Sequence, residues 1–420
     1  MSAHRTPLRA LIVTDYYRPL IGGSIRSGEL LARHLGALGH TVEIVTAWQP
    51  GLPSVEDVDG LRVHRIRDLS SRMRWISEDP YKHNPPPYPD PEAIWRLRRL
   101  FRRFSPDLVH AYGWLAHSAA AALLGTNIPL LLSARDYGNI CALGTLVRNG
   151  EICTGPALGK CLACSRRRYG AVKGTAAVAG VRAAGPLLRR RTTTLHAVSR
   201  FVARTIDRYL RIPAAPAVVI PNFHDEGPNE APDQTVLECL PAEPFILFVG
   251  AFRRIKGIDE LLAAYQSLVH PPPLVLVGTR MTDSPPRFPD GVTVMTDVSS
   301  PTLMAIWDRA LFGVAPSVLP EALGNVVHEA MGRGRAMIGT KPGGHEDMIE
   351  DGESGLLVPA GDSAALAAAM ARLIDDPQLR ERLGRAALAR ALLFTPERVV
   401  PELERLYYET ASPSRLAASS

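Results

Sequence analysis

The 420-residue chain has little lysine, little cysteine and few aromatic residues, and each shortage narrows what it can be. Lysine supplies only 5 of its 48 basic residues, so its wealth of arginine reads first as coding preference. Five cysteines in so long a chain do not make the disulfide framework of a small secreted scaffold. Aromatic residues make up 6%, and the basic stretches are not interleaved with them, which argues against a surface that stacks nucleic-acid bases. No apolar run approaches the roughly 20 residues of a membrane span. Met1–Thr6 is polar and the run Leu8–Thr14 ends at Asp15, so no signal peptide is read. The expectation is a cytoplasmic protein, with peripheral contact to the inner membrane face as its only membrane role.

What is present is enough apolar residue, 46%, to build two or three full cores. The net charge of +6 hides a division. Residues 1–200 carry 28 Lys and Arg against 14 Asp and Glu, while residues 201–420 carry 20 against 28. A basic half favours an anionic partner, whether a membrane surface or a phosphate-bearing substrate.

Short apolar runs alternate with amphipathic stretches: Ala10–Thr14, Gly28–Leu38, Val42–Thr46, Leu108–Ala111 and Leu130–Ser133. The same grammar restarts at Phe245–Gly250 and continues through Gly257–Val269, Leu274–Gly278, Val292–Thr296, Pro301–Arg309, Phe312–Ala315 and Ala336–Thr340. Buried strands alternating with helices predict parallel sheets covered on both faces, so the fold class is α/β with two doubly wound, Rossmann-like halves. The expected domains are 1–212, with a cysteine-containing insertion near 137–191, a Pro-rich acidic linker at 213–244, a second domain at 245–395 and a C-terminal helix and tail at 396–420. In open α/β sheets the ligand lies beyond the carboxyl ends of the strands, which directs attention to the loops there.

Three such loops carry chemistry. After the first strand, Gly22-Gly23 leads into a helix, where adjacent glycines let backbone N–H groups approach a phosphate or sugar. Arg253-Arg254-Ile255-Lys256-Gly257 places three cations at a helix start, which makes best sense with an anion among them. The stretch Glu321-Ala322-Leu323-Gly324-Asn325-Val326-Val327-His328-Glu329 sets two carboxylates about 12 Å apart if the helix starts near Leu323, with the N–H groups of Gly324–Val326 between them. That spacing matches the two ends of a folded sugar nucleotide.

These elements, with Pro106-Asp107-Leu108-Val109-His110, Val198-Ser199, Ile220-Pro221-Asn222, Gly343-Gly344-His345-Glu346 and Asp351-Gly352-Glu353-Ser354-Gly355, resemble in order the family-four retaining glycosyltransferases. The resemblance implies the GT-B fold, two facing Rossmann-like domains with a cleft between them. It also implies a nucleotide diphosphate sugar donor, a hydroxyl acceptor, retention at the anomeric carbon and no catalytic metal. By resemblance, Glu321 contacts donor-sugar hydroxyls, Glu329 the ribose, and Lys256 with Arg253 or Arg254 the diphosphate. Gly22 and Gly23 approach the phosphate or acceptor, while Leu323, Gly324, Asn325 and Val326 line the donor. His110 and Tyr112 fall on the acceptor side.

Two departures stand out. Ala251 replaces the arginine usual after Gly250, so Arg253 or Arg254 must supply that charge. Arg135-Asp136 replaces the family's His-Asp pair, and because arginine does not share a proton near neutral pH, a base role falls to Asp136 or to the leaving phosphate.

Just beyond this pair come Cys141, Cys153, Cys161 and Cys164, whose spacing suits a structural zinc as well as unlinked thiols or disulfide or redox use. The segment Trp95–Phe104 reads as a helix with its apolar stripe on the first sheet, and Arg166–Arg191 as the better candidate for anionic contact. The acceptor stays open among lipid-linked, cell-wall or polysaccharide and small-molecule hydroxyls. Two other readings remain: a sugar-nucleotide epimerase of similar fold, and a non-catalytic membrane-associated or zinc-binding scaffold.

Overall fold

The structure, a computed structural model, describes residues 6–20, 23–72, 83–213, 216–225 and 231–412. It divides into two compact units. The first comprises Met1–Thr145, Thr154–Pro221 and Val399–Ser420, and the second Leu146–Cys153 and Asn222–Arg398.

The first unit contains strands β1 (Arg9–Thr14), β2 (Thr41–Ala47), β3 (Val55–Val58), β4 (Leu61–Ile66), β5 (Leu108–Ala111) and β6 (Leu130–Ala134). A small hairpin follows in the chain, β7 (Val147–Arg148) with β8 (Glu151–Ile152), before β9 (Thr192–Ala197) and β10 (Val218–Val219) return to the first sheet. The sheet order is β10-β9-β6-β5-β1-β2-β4-β3, parallel throughout except for the edge strand β3. Every residue of β5 and β6 is buried, as central parallel strands covered on both faces require. The edge hairpin of β3 with β4, and strands β9 and β10, are additions to the elements read from sequence. β3 is polar, β9 Thr-rich and β10 only two residues long, so these give little apolar pattern to detect.

Helix Pro91–Phe104 shows why its stripe faces inward. Asp90 caps it by accepting from the N–H groups of Glu92 and Ala93, and Ala93, Leu97, Phe101 and Phe104 recur on one face and are buried. Trp95 departs from the expected stripe. It is 55% exposed, with the guanidinium groups of Arg96 and Arg99 about its ring.

The second unit carries β11 (Phe245–Val249), β12 (Leu274–Val277), β13 (Val292–Met295), β14 (Ala310–Val314), β15 (Ala336–Lys341) and β16 (Leu356–Pro359). Their order, β13-β12-β11-β14-β15-β16, is parallel throughout and is that of a dinucleotide-binding Rossmann sheet. Ile246, Phe248, Leu274, Leu276, Phe312, Val314 and Ile338 of these strands form one core with Phe252, Leu261 and Met370. The strand order reverses between β11 and β14, so the loops after those strands diverge and leave room for a ligand at the switch point. After β16 come helices Ser363–Asp375, Pro377–Ala391 and Pro396–Ala411, and the last of these, within the expected C-terminal helix and tail, joins the first unit from Val399 onward.

Candidate active site

The two loops at the second unit's switch point carry the residues of interest. After β11 the chain makes a tight 3-10 turn at Arg254–Lys256 and enters helix Ile258–Gln266 through Gly257. Gly257 has φ of 74°, and a Cβ there would lie 1.9 Å from the carbonyl oxygen of Pro316 in the loop after β14. Only glycine permits this approach. The backbone N–H groups of Val318 and Leu319 also donate to the carbonyl of Ile255, each at 3.1 Å, locking the two loops together.

This locking brings Lys256 to Glu321, with Nζ donating to Oε1 at 2.6 Å. The carboxylate is mostly buried, 13% exposed, and the lysine 34%. Ser317 Oγ also donates to Glu321. Burial alone would raise the Glu321 carboxyl, but the Lys256 charge, His345 and the hydrogen bonds from Lys256 and Ser317 hold it below the usual carboxylate range. The glutamate is therefore ionised and fixed in place.

His345 completes the group from the loop after β15. The N–H of Thr340 donates to its Nδ1 at 3.1 Å, so the neutral ring carries its proton on Nε2. Burial holds the imidazole below its ordinary value, with Lys256 adding to the effect and Glu321 opposing it. A Cβ on Gly324 would lie 2.6 Å from Nε2, so the ring buttresses the turn that launches the next helix.

That helix runs Asn325–Gly332, with Gly324 at its cap in the left-handed region and no side chain capping it. It therefore starts two residues later than the sequence suggested, because the Gly324 conformation breaks the helix. Glu321 lies in the preceding loop, and Glu329 one turn into the helix, so the expected 12 Å of continuous helix does not apply. The Val327 N–H turns back to the Gly324 carbonyl at 3.0 Å, and the positive end of the helix dipole favours an anion at this start. Asn222 Nδ2 donates to Asn325 Oδ1 at 3.3 Å, joining the Pro-Asn segment to this helix start.

In the first unit the corresponding reversal lies between β1 and β5. Asp15, at the end of β1, accepts from the N–H groups of Trp114 at 2.9 Å and Leu115 at 2.7 Å, capping helix Leu115–Ala122 from outside it. Arg135 stacks its guanidinium over the Tyr112 ring at 4.6 Å and donates from Nε to Ser133 Oγ at 3.3 Å. Asp136, beside it, is exposed and accepts from the Gly138 N–H at 2.7 Å.

Residues 22–222 match the family described as glycosyl transferase 4-like domain, and residues 243–376 the glycosyl transferases group 1. The chain belongs to the group 1 glycosyltransferases. It is 23% identical over 418 residues to N-acetyl-alpha-D-glucosaminyl L-malate synthase of Bacillus anthracis, covering 93% of this chain and 95% of that one. Sucrose-phosphate synthase from Thermosynechococcus elongatus superposes with a TM-score of 0.73 at 22% identity, over 98% of this chain and all of that one. Anabaena HepE in complex with UDP-glucose gives 0.65 at 16% identity, over 97% and 100%. These likenesses establish the GT-B fold, and the chain is a glycosyltransferase of the group 1 type, which uses nucleotide sugars.

The glycosyltransferase gathers some of the expected residues and separates others. Lys256 and Glu321 meet, and Leu323, Gly324, Asn325, Val326 and Glu329 follow on the turn and helix beside them. Arg253 instead donates to Asp283 at 3.1 Å, and Arg254, largely exposed, lies 3.3 Å from Asp259. Gly22 lies outside the described residues, while Gly23 opens helix Gly23–Ala37. His110, expected on the acceptor side, is wholly buried, its Nδ1 2.7 Å from the Tyr407 hydroxyl. Tyr112, expected there too, is 4% exposed, with Arg135 over its ring.

The structure does not bring the cysteines together as a ligand set. Among the described residues no group of three or more His, Cys, Asp or Glu is placed to hold a metal ion. Cys161 packs beside Leu162 on the small core of Ala142, Ala177, Val178 and Val181, and Cys141, Cys153 and Cys164 are half-buried. Sequence reasoning missed Asp15 and the part played by His345. An acid directly ending a buried strand, and a histidine inside a Gly-Gly turn, were the available signals.

Proposed function

We propose that the enzyme is a retaining, metal-independent glycosyltransferase that moves a sugar from a nucleoside diphosphate sugar, bound by the second unit, to a hydroxyl acceptor received by the first. The observation that carries this reading is the Lys256–Glu321 pair at the second sheet's switch point, beside the start of helix Asn325–Gly332. A leaving diphosphate needs its developing charge met. A lysine and helix N–H groups already in position meet it without reorganisation. Glu321 takes the donor-sugar hydroxyls and Glu329 those of the ribose.

In the reaction, the bond from the anomeric carbon to the diphosphate oxygen breaks with its electron pair on that oxygen. The acceptor oxygen bonds to the carbon and yields its proton to the departing phosphate or to Asp136. Arg135, which stays charged, is suited to orient an acceptor group and not to take its proton. The acceptor belongs to the lipid-linked, cell-wall or polysaccharide, or small-molecule hydroxyls. The UDP-glucose bound by the Anabaena neighbour supports the donor class, and the N-acetylglucosaminyl malate named for the Bacillus relative supports a hydroxyl acceptor.

The test is a thermal-shift panel of UDP, GDP, ADP and TDP, then turnover of the matching donor sugars after EDTA treatment, with the product anomer read by NMR. Full activity with retained configuration is expected. Loss of activity on chelation, or an inverted product, would overturn the proposal.

A further inference from the structure

Between Glu151 and Asp207 the chain contains no carboxylate, and the interval holds 11 Lys and Arg residues. Most of it folds as a helical hairpin, Leu158–Tyr169 and Ala171–Arg191, turning at Gly170 and inserted between β6 and β9. Arginine triplets end both helices, at Arg166–Arg168 and Arg189–Arg191. Some of that charge simply complements the helix C-terminal dipoles.

Two features go beyond such a role. Val172, at the hairpin turn, is 83% exposed, although an apolar side chain gains nothing in water, and Arg166, Arg167 and Arg168 beside it are exposed as well. The second feature is position. The 21-residue helix leads directly into the six-residue β9, and at 1.5 Å and about 3.3 Å per residue these measure about 31 Å and about 20 Å. A helix entering a parallel strand runs antiparallel to it. The hairpin turn therefore reaches about 10 Å past the carboxyl edge of the sheet, the edge that carries Asp15, Tyr112, Arg135 and Asp136. Tyr169 accordingly lies near Tyr16, in the loop after β1, whose phenol is raised chiefly by burial, then by Asp15 and to a lesser extent by Tyr169.

We infer that the turn of this hairpin, Arg166–Arg168 with Val172, is a docking surface for an anionic lipid bilayer, presenting the first unit's carboxyl edge to an acceptor carried in the membrane. Cations beside an exposed apolar residue fit a headgroup layer over acyl chains, whereas a soluble phosphate would have no use for the valine. Among the described residues no helix is long and apolar enough to cross a membrane, so the surface rests on the bilayer without spanning it. The inference rests on the reading that this edge receives the acceptor.

The full chain is sedimented with vesicles of phosphatidylcholine, alone and with phosphatidylglycerol added, beside two variants. One is Arg166→Ser, Arg167→Ser, Arg168→Ser combined, and the other is Val172→Ser alone. The native chain should bind only the anionic vesicles, increasingly weakly as salt rises. The triple variant should lose about 100-fold in partitioning, three charges each contributing about five-fold near an anionic surface. Val172→Ser, which leaves the charge intact, should lose several-fold. Nucleoside diphosphate stabilisation should be the same in all three, confirming that the variants fold. Equal binding to both vesicle types, anionic binding unchanged in both variants, or binding of RNA in place of vesicles would overturn the docking surface. Because nucleotide binding is read separately, such a result would leave the transferase reading standing.

Discussion

Replacing Lys256 by methionine removes the cation from the Lys256–Glu321 pair while keeping most of the side-chain volume. Breaking a buried pair from one side costs about 3–5 kcal/mol. Lys256 is 34% exposed, so solvent screens the interaction and about 2 kcal/mol is the appropriate expectation. The loss should depend on pH in a particular direction. In the native protein Glu321 sits below the usual carboxylate range, so its contribution is present above the ordinary carboxyl pKa and fades as pH falls. Without Lys256 burial dominates, the carboxyl rises above its unfolded value, and the variant instead loses stability as pH rises. The gap between the two proteins should therefore be widest near neutrality and narrow towards pH ~5. Calorimetry of the transition that nucleoside diphosphate shifts is the assay. Diphosphate affinity should fall about 10- to 100-fold, the loss of one hydrogen bond to a charged group. A variant that binds nucleotide as the native enzyme does, with a stability deficit independent of pH, would refute this account of the pair.

Other substitutions probe the supports of the site. Gly257→Ala should destabilise the second unit by about 3 kcal/mol or more and weaken nucleotide binding, because its Cβ would meet the Pro316 carbonyl at 1.9 Å, and calorimetry with nucleotide titration checks it. Asp15→Ala removes the cap on helix Leu115–Ala122 and should cost the first unit about 1–2 kcal/mol by denaturant unfolding. Burial holds His117 and His196 down to about 4 and His328 to about 3. Each is neutral when folded and takes up a proton on unfolding below about pH 6.5, so stability should fall on acidification by about 1.4 kcal/mol per pH unit per histidine down to pH ~4. Urea midpoints at several pH values measure this, and His328→Asn should reduce the slope for the second unit.

The loops at the second unit's switch point were legible in the sequence because each is local. Lys256-Gly257, Glu321 through Glu329 and Gly343-Gly344 each occupy one loop after one strand, and a doubly wound sheet brings such loops to the same edge. The first unit's contacts were less legible because the partners are distant in the chain. Asp15 finds its N–H groups near residue 114, and His110 is held by Tyr407 from the final helix. In the second unit, Arg253 is likewise taken up by the distant Asp283. No local pattern announces such pairings. The start of the helix at Asn325 was misplaced because Gly324 adopts a left-handed conformation that residue type alone does not dictate. Cysteine spacing suggested a ligand set, but Cys161, partly buried, packs against the hairpin's small apolar cluster.

The central claim is that the switch point of the second sheet binds a nucleoside diphosphate, with the phosphates at Lys256 and the helix start and the ribose at Glu329. Calorimetric titration of the preferred nucleoside diphosphate and of inorganic pyrophosphate, on the native enzyme and on Glu329→Ala, tests it directly. The account predicts that Glu329→Ala weakens the nucleotide at least tenfold, on the order of one lost hydrogen bond to a charged group, and leaves pyrophosphate unchanged. Equal nucleotide affinity in the two proteins, or no nucleotide binding by the native enzyme, would contradict it.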